Sequence, residues 1–202
     1  MLGVHLDIEP YLQRLKAEID RVDRGEIARL ADLLFEAWQQ GRYVFVLGNG
    51  GSACLASHIA EDLGKGALRQ ADLKDETKRR LKVLSLTDNV GWLTALGNDV
   101  GYDQVFVQQL MNYGQKGDLL IAISGSGNSP NVLAAVDWAN RHELTTVGMT
   151  GYNGGKLRQM QSAGVHVPLD DMGMVESIHA CVVHWLVDDL YARVNGEGRG
   201  AK

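Results

Sequence analysis

"YVFVLGNGGSACLASHIAEDLGKG", residues 43–66, runs from an unbroken apolar stretch through glycines and a serine into a helix-compatible tract. Six apolar or small residues without polar alternation read as a strand buried on both faces of a parallel sheet. The glycines of GNGGS (48–52) allow positive φ and close approach of a ligand to the backbone. The tract from residue 52 to about 63 reads as helix. Strand, tight turn and helix in that order open a βαβ unit.

The same alternation continues toward the C-terminus. KVLSL (82–86), DLLIAIS (118–124), TTVGMTG (145–151) and VHVPL (165–169) read as further short strands. Between them lie a short helix over 89–97, helices over 102–114 and 131–142, and a short helix over 154–160; a long helix over 174–194 closes the unit. Residues 64–80 are polar and charged, an exposed connection with some helix. On the N-terminal side, 8–23 and 25–40 place apolar residues three and four apart, as two amphipathic helices separated near Gly25. The expected fold is therefore α/β: a three-layer sandwich with a five-stranded parallel sheet flanked by helices, plus the N-terminal helices. Those two helices need a surface to cover, and a neighbouring subunit offers one. The division is 1–41 for oligomer packing, 42–195 for the α/β domain and 196–202 for a polar, disordered tail.

The chain has 202 residues, a net charge of −5, 45 % hydrophobic and 22 % charged residues. It carries no basic field to attract nucleic acid. No apolar run approaches the length of a membrane span, and the N-terminus lacks a signal-peptide core. Two cysteines, Cys54 and Cys181, stand apart from any CxxC spacing and suit a reducing compartment. The expected location is cytoplasmic. The four tryptophans read as core or interface anchors.

A second glycine–serine turn, SGSGNS (124–129), again follows a strand and precedes a helix, with Pro130 suited to that helix's first turn. Ser124, Ser126 and Ser129 add hydroxyls that donate to phosphate oxygens, and helix N-termini favour anions. Strand-to-helix turns are commonly rich in Gly, Ser and Asn, but two such turns with this density of hydroxyls point to a small phosphorylated ligand. Neither turn is a P-loop or a complete GxGxxG, so no nucleotide cofactor is expected.

In the helix after the first turn, His58 and Asp62 are four residues apart and share a face, about 6 Å apart along the axis. That pairing suits a metal site, an acid–base pair or a surface ion pair. The closing helix carries Glu176, His179, His184 and Asp188. Glu176 and His184 lie about 80° apart around a helix but about 12 Å apart along it. One metal held by both requires an irregular start near Glu176 or convergence from the two ends. His179 and Asp188 read as structural, and His5, His142 and His166 lack obvious partners, although His142 can interact with the end of its own helix.

GNGGS-x5-H at 48–58, GND at 97–99, ISGSGNS at 123–129, TGYNGG at 150–155 and ES-I-H-x4-H at 176–184 together resemble the phosphoheptose isomerases. These are sugar-isomerase (SIS) domain proteins that interconvert sedoheptulose 7-phosphate and a heptose 7-phosphate. The resemblance runs from about residue 10 to 194. It implies a homotetramer, an aldose–ketose isomerisation through an enediol, and one Zn²⁺ per subunit. It places Asn49, Gly50, Gly51, Ser52, Asn98, Asp99, Ser124, Gly125, Ser126, Ser129 and Glu176 at substrate-binding positions. His58, Asp62, Glu176 and His184 fall on the metal positions, and Asp62 and His184 on the catalytic pair.

Several residues depart from that pattern. Asp62 stands for a glutamate, Glu176 for a glutamine, Gly125 for a threonine, and Lys65 for an arginine often found after the catalytic helix. With two acids the site would hold a cation in a more negative setting. Glu61 is the alternative base to Asp62. Two other functions fit the same sequence: a non-catalytic SIS module that senses a sugar phosphate or binds a protein, and an isomerase of a different sugar phosphate. A related replication-initiator-binding branch has lost the catalytic pair, which His184 and the acid at 62 retain here.

Overall fold

The computed structural model describes residues 6–197. Five parallel strands, β1 (Tyr43–Gly48), β2 (Lys82–Ser85), β3 (Leu119–Ser124), β4 (Thr145–Thr150) and β5 (Ala163–His166), form one sheet in the order β2-β1-β3-β4-β5. Register is fixed by pairs such as Val46 with Ser85 and Val46 with Ile121. Chain direction across the sheet reverses between β1 and β3. In open parallel sheets that reversal opens a crevice at the strands' C-terminal ends, where ligands bind. GNGGS follows β1 and SGSGNS follows β3, so both turns border that crevice.

Successive side chains of a strand point to opposite faces. Val44, Val46, Ile121, Ile123, Val147 and Met149 face one way and meet the helices α2 (Arg24–Gln40), α3 (Gly51–Gly66) and α8 (Met172–Val194). Phe45, Leu47, Leu120 and Ala122 face the other, against α5 (Val107–Tyr113) and α6 (Pro130–Arg141). Each interior strand is thus covered on both sides, which is why its sequence lacks alternation. The short helices α4 (Val90–Asp99) and α7 (Leu157–Met160) complete the second layer.

The N-terminal pair behaves unequally. Asp23 caps α2 by accepting from the Gly25 and Glu26 amides, and Gly41 ends it in the left-handed region. Leu30, Ala31, Leu33, Leu34 and Ala37 of α2 are buried in the sheet's own core. One face of α2 therefore covers the sheet of its own subunit. In α1 (Ile8–Arg21), by contrast, no residue is buried.

Three elements differ from the sequence reading. The segment 102–114 divides into a 3-10 turn at Tyr102–Gln104 and the helix α5. Val105, Phe106 and Val107 are all buried, an arc of about 200° that one helix face cannot present to one sheet. Strand β5 begins at Ala163 and ends at His166; beyond it the Leu169 amide turns back to the Val167 carbonyl instead of pairing with β4. Helix α8 starts two residues early, where Asp171 accepts from the Met174 amide. The connection 67–80 contains one 3-10 turn, Gln70–Asp72. Of the expected tail, Glu197 pairs with Arg69 at 2.7 Å, while 198–202, like His5, lie outside the described residues. His142 binds the end of its own helix, with Nδ1 2.8 Å from the Trp138 carbonyl.

Candidate active site

The second turn forms the better-defined half of the crevice. Ser124 Oγ accepts from the Gly127 amide and Ser126 Oγ from the Asn128 amide, which leaves both hydroxyl hydrogens to donate elsewhere. Ser129 occupies the N-cap position of α6 without capping it, and its Oγ lies 3.4 Å from Ser124 Oγ. Three hydroxyls thus converge on a cavity of about 100 Å³ lined by Asn49, Ser52, Ser124, Gly125, Ser126, Ser129, Met172 and Glu176. Hydroxyl donors beside a helix N-terminus suit a phosphate dianion.

In the first turn the Ser52, Ala53 and Cys54 amides bond inward to the Asn49 and Gly50 carbonyls. The N-terminus of α3 already faces a carboxylate: a Cβ on Gly51 would lie 2.5 Å from Glu176 Oε1. Glycine at 51 is what lets Glu176 come this close, and the helix dipole favours a negative charge there. The GNGGS turn therefore walls the same cavity through Asn49 and Ser52 and seats Glu176 at its tip.

Glu176 also lines an adjoining cavity of about 230 Å³ with Gly51, Ser52, Leu55, His58 and His179. One turn further along α3, His58 Nε2 stands 3.1 Å from Asp62 Oδ2. The His184 ring meets the His58 ring edge-on, with centroids 5.1 Å apart. Ligand atoms of His58, Asp62 and His184 all lie within 4.8 Å of one another. Helices α3 and α8 packing side by side bring these three together. Glu176 is outside that group. Helix α8 is continuous through Glu176 and His184, so the axial separation stands and Glu176 belongs to the hydroxyl-lined cavity.

Glu61 and Asp62 are distinguished by their partners. Glu61 is held by Lys65, which keeps its carboxyl below the usual range, and the ion pair in turn raises the Lys65 ammonium. The carboxylate that faces both imidazoles is Asp62. Lys65, the candidate substitute for an arginine, is engaged by Glu61. Asn98 and Asp99 end α4 on the exposed surface, where Asn98 Nδ2 donates to Asp99 Oδ1 at 2.8 Å. Neither of them lines the two cavities just described.

His166 and His179 find roles in the core. His166 Nδ1 is 2.9 Å from Thr150 Oγ1, and His179 Nε2 donates to the Thr150 carbonyl at 3.3 Å. Burial lowers both imidazoles, His179 to about 4. The sequence reading missed Asn131 and Met172. Neither has a motif signal; Asn131 follows Pro130 as an ordinary helix residue, and Met172 lies outside the expected start of α8.

Comparison with known proteins agrees with this geometry. Residues 10–151 match the SIS domain family. A phosphoheptose isomerase of Bradyrhizobium sp. is 36 % identical over 177 residues, 88 % of this chain and 86 % of that protein. The structure of a phosphoheptose isomerase from Francisella tularensis superposes with a TM-score of 0.80 at 30 % identity, covering 91 % of this chain and 95 % of that one. The corresponding protein of Neisseria gonorrhoeae gives 0.78 at 30 % identity, over 88 % and 91 %. With the family match over residues 10–151 and these relatives at 30–36 % identity, the chain belongs to the SIS-domain proteins and, among them, to the phosphoheptose isomerase family.

Proposed function

We propose that the chain is an aldose–ketose isomerase that converts sedoheptulose 7-phosphate to a heptose 7-phosphate. The observation that carries this is the span of the site. Ser52, at the phosphate cavity, is separated along α3 from His58 by about 9 Å and from Asp62 by about 15 Å between backbone positions, and the Asp62 side chain, leaning back toward the helix N-terminus to meet His58, shortens the second. Eight bonds join phosphorus to C1 of a seven-carbon sugar phosphate; at about 1.2 Å per bond they reach about 10 Å. The four bonds of a three-carbon sugar phosphate reach only about 5 Å. Glu176, lining both cavities, makes the path between them continuous.

In this reading Ser124, Ser126 and Ser129 donate to the phosphate, with Asn49, Gly50, Gly51, Ser52 and Gly125 shaping the crevice. Asp62 removes a proton from C1 and returns it to C2, and His184 moves the hydroxyl proton from O1 to O2. The intermediate between the two transfers is an enediol. His58 orients Asp62 through the 3.1 Å contact. Two imidazoles and a carboxylate at this spacing are a donor set that fits Zn²⁺. When bound to His58, Asp62 and His184, the ion would supply Lewis-acid polarisation of the carbonyl, while Glu176, too far along α8 to join them, stays at the other end of the crevice. Asn98 and Asp99 would reach substrate from the rim. We also propose a homotetramer, supported by the unburied α1, and a cytoplasmic setting, supported by the free thiols of Cys54 and Cys181.

The test is turnover of sedoheptulose 7-phosphate by metal-stripped protein with and without added Zn²⁺. Zinc-dependent aldose formation is expected, and Asp62→Asn or His184→Gln should each lower kcat by about 10²- to 10⁴-fold. Full activity in both variants would overturn the assignment of the pair. Binding of the sugar phosphate without turnover would indicate a sensor.

A further inference from the structure

Asn131 is 2 % exposed and has no part in the chemistry above. It is the second residue of α6, directly behind the second turn. Its carboxamide and that of Asn49 form a reciprocal pair. Asn49 Nδ2 donates to Asn131 Oδ1, and Asn131 Nδ2 donates to Asn49 Oδ1, both at 2.9 Å. The orientation is fixed, because Asn131 Oδ1 also accepts from the Val132 amide at 3.0 Å. Tyr102 Oη, just beyond the GND segment, donates to Asn49 Oδ1 at 3.1 Å. A carboxamide oxygen has two lone pairs, and those of Asn49 are both engaged. Asn49 therefore serves as a strut between chain segments, with its oxygen turned to protein.

The cavity wall has two sides, Asn49 and Ser52 from one turn, and Ser124, Gly125, Ser126 and Ser129 from the other. Its width is the separation of the turns, and the Asn49–Asn131 pair spans that separation. We propose that Asn131, assisted by Tyr102, is a positioning residue that sets the distance between the two turns and through it the affinity for the substrate's phosphate. This rests on the reading of the cavity as the phosphate site.

The experiment measures the Kd of inorganic phosphate by calorimetry at pH 5 and pH 8, alongside KM and kcat for sedoheptulose 7-phosphate. Asn131→Leu keeps the forked side-chain shape but makes neither bond. Asn131→Asp restores both when protonated, its O–H donating and its C=O accepting, and faces Asn49 Oδ1 with lone pairs when ionised. Burial raises that carboxyl, so it is neutral at pH 5. Each Kd is divided by the wild-type value at the same pH, which removes the titration of phosphate itself. Asn131→Leu should weaken phosphate about ten-fold at both pH values, the loss of a net hydrogen bond or more. Asn131→Asp should match it at pH 8 and return to within about three-fold of wild type at pH 5, while kcat in both variants stays within about two-fold.

Wild-type affinity in Asn131→Leu overturns the proposal, since charge repulsion alone would then explain the aspartate. So does an aspartate variant that fails to recover in acid. If the Asn131 variants do not fold, Tyr102→Phe decides, because it removes only an exposed hydroxyl: about three-fold weaker phosphate supports the strut, and unchanged affinity overturns it. Wild-type protein that binds no phosphate would overturn the phosphate site itself, a different result from variants that bind like wild type.

Discussion

Gly125 stands where the family resemblance implies a threonine, and Met172 fills the space beside it. A Cβ at 125 would lie 2.4 Å from Met172 Sδ and 2.9 Å from its Cε. The thioether fills the space beside the phosphate cavity that a larger residue would occupy. Gly125→Thr should therefore raise KM for the sugar phosphate, and adding Met172→Ala should reverse most of the loss. Steady-state kinetics of the two single variants and the double variant should give a coupling of about 1–2 kcal/mol; simple additivity would show that the contact is relieved by the flexible methionine alone. His179 supports a second prediction. Its imidazole is buried, held by the Thr150 carbonyl of β4, near His166 of β5 and beside the cavity that His58 and Glu176 line. Its pKa falls from 6.5 to about 4, so below pH 6.5 the unfolded chain takes up a proton that the folded chain refuses. Stability is fully present above about pH 6.5 and declines toward pH 4, by up to about 3 kcal/mol. Urea midpoints at pH 7 and pH 5 should differ more in wild type than in His179→Gln. His58, Asp62 and His184 were legible from spacing and resemblance, whereas Met172 and Asn131 act through contacts between distant segments and leave no local pattern.

At the scale of elements, the interior strands were readable because burial on both faces leaves them almost wholly apolar, as in Val44–Leu47 and Leu119–Ile123. Helix ends were less so. Helix α8 begins at Met172 because the side chain of Asp171 accepts from the Met174 amide at 3.3 Å, a cap that lies before the first apolar repeat. The sequence from 102 to 114 looked like one helix because its apolar spacing fits; the break comes from three consecutive residues all seeking the core. The cap on α8 matters for function because that helix delivers Met172 and Glu176 to one cavity and His184 to the cluster. Asp171→Ala should cost about 1 kcal/mol of stability. Fraying of the first turn would release Glu176 from its seat over Gly51 before it disturbs His184, two turns further on. The expected pattern is a raised KM with a nearly unchanged kcat, and a thermal scan should show the accompanying loss of stability. An equal fall in kcat would mean that α8 moves as a whole.

Among the described residues, the His58–Asp62–His184 group stands open to water. The His58 side chain is 49 % exposed, and Trp185, immediately after His184, is 43 % exposed. On the same side an apolar groove of about 400 Å³ lies between α1, α2 and α8, lined by Ile19, Val22, Ile27, Ile178, Cys181, Val182 and Trp185. Helix α1 has no fully buried residue, only Tyr11, Leu15 and Ile19 partly buried against the core, and Ile8 is 71 % exposed. Proton transfer between carbon atoms through a carboxylate works best where water is excluded, since the low dielectric strengthens each polar contact. A face that combines an exposed acid–base group with an uncovered apolar groove fits a site completed by assembly, which is the physical argument for the proposed tetramer. Trp185→Asp places a charge in that groove without touching His58, Asp62 or His184 in sequence register. It should lower the mass seen by light scattering and reduce kcat, and wild-type activity should fall on dilution at the concentration where the assembly dissociates. Monomers that keep full turnover would show that the exposed cluster works unaided, and the role of the groove would then lie apart from catalysis.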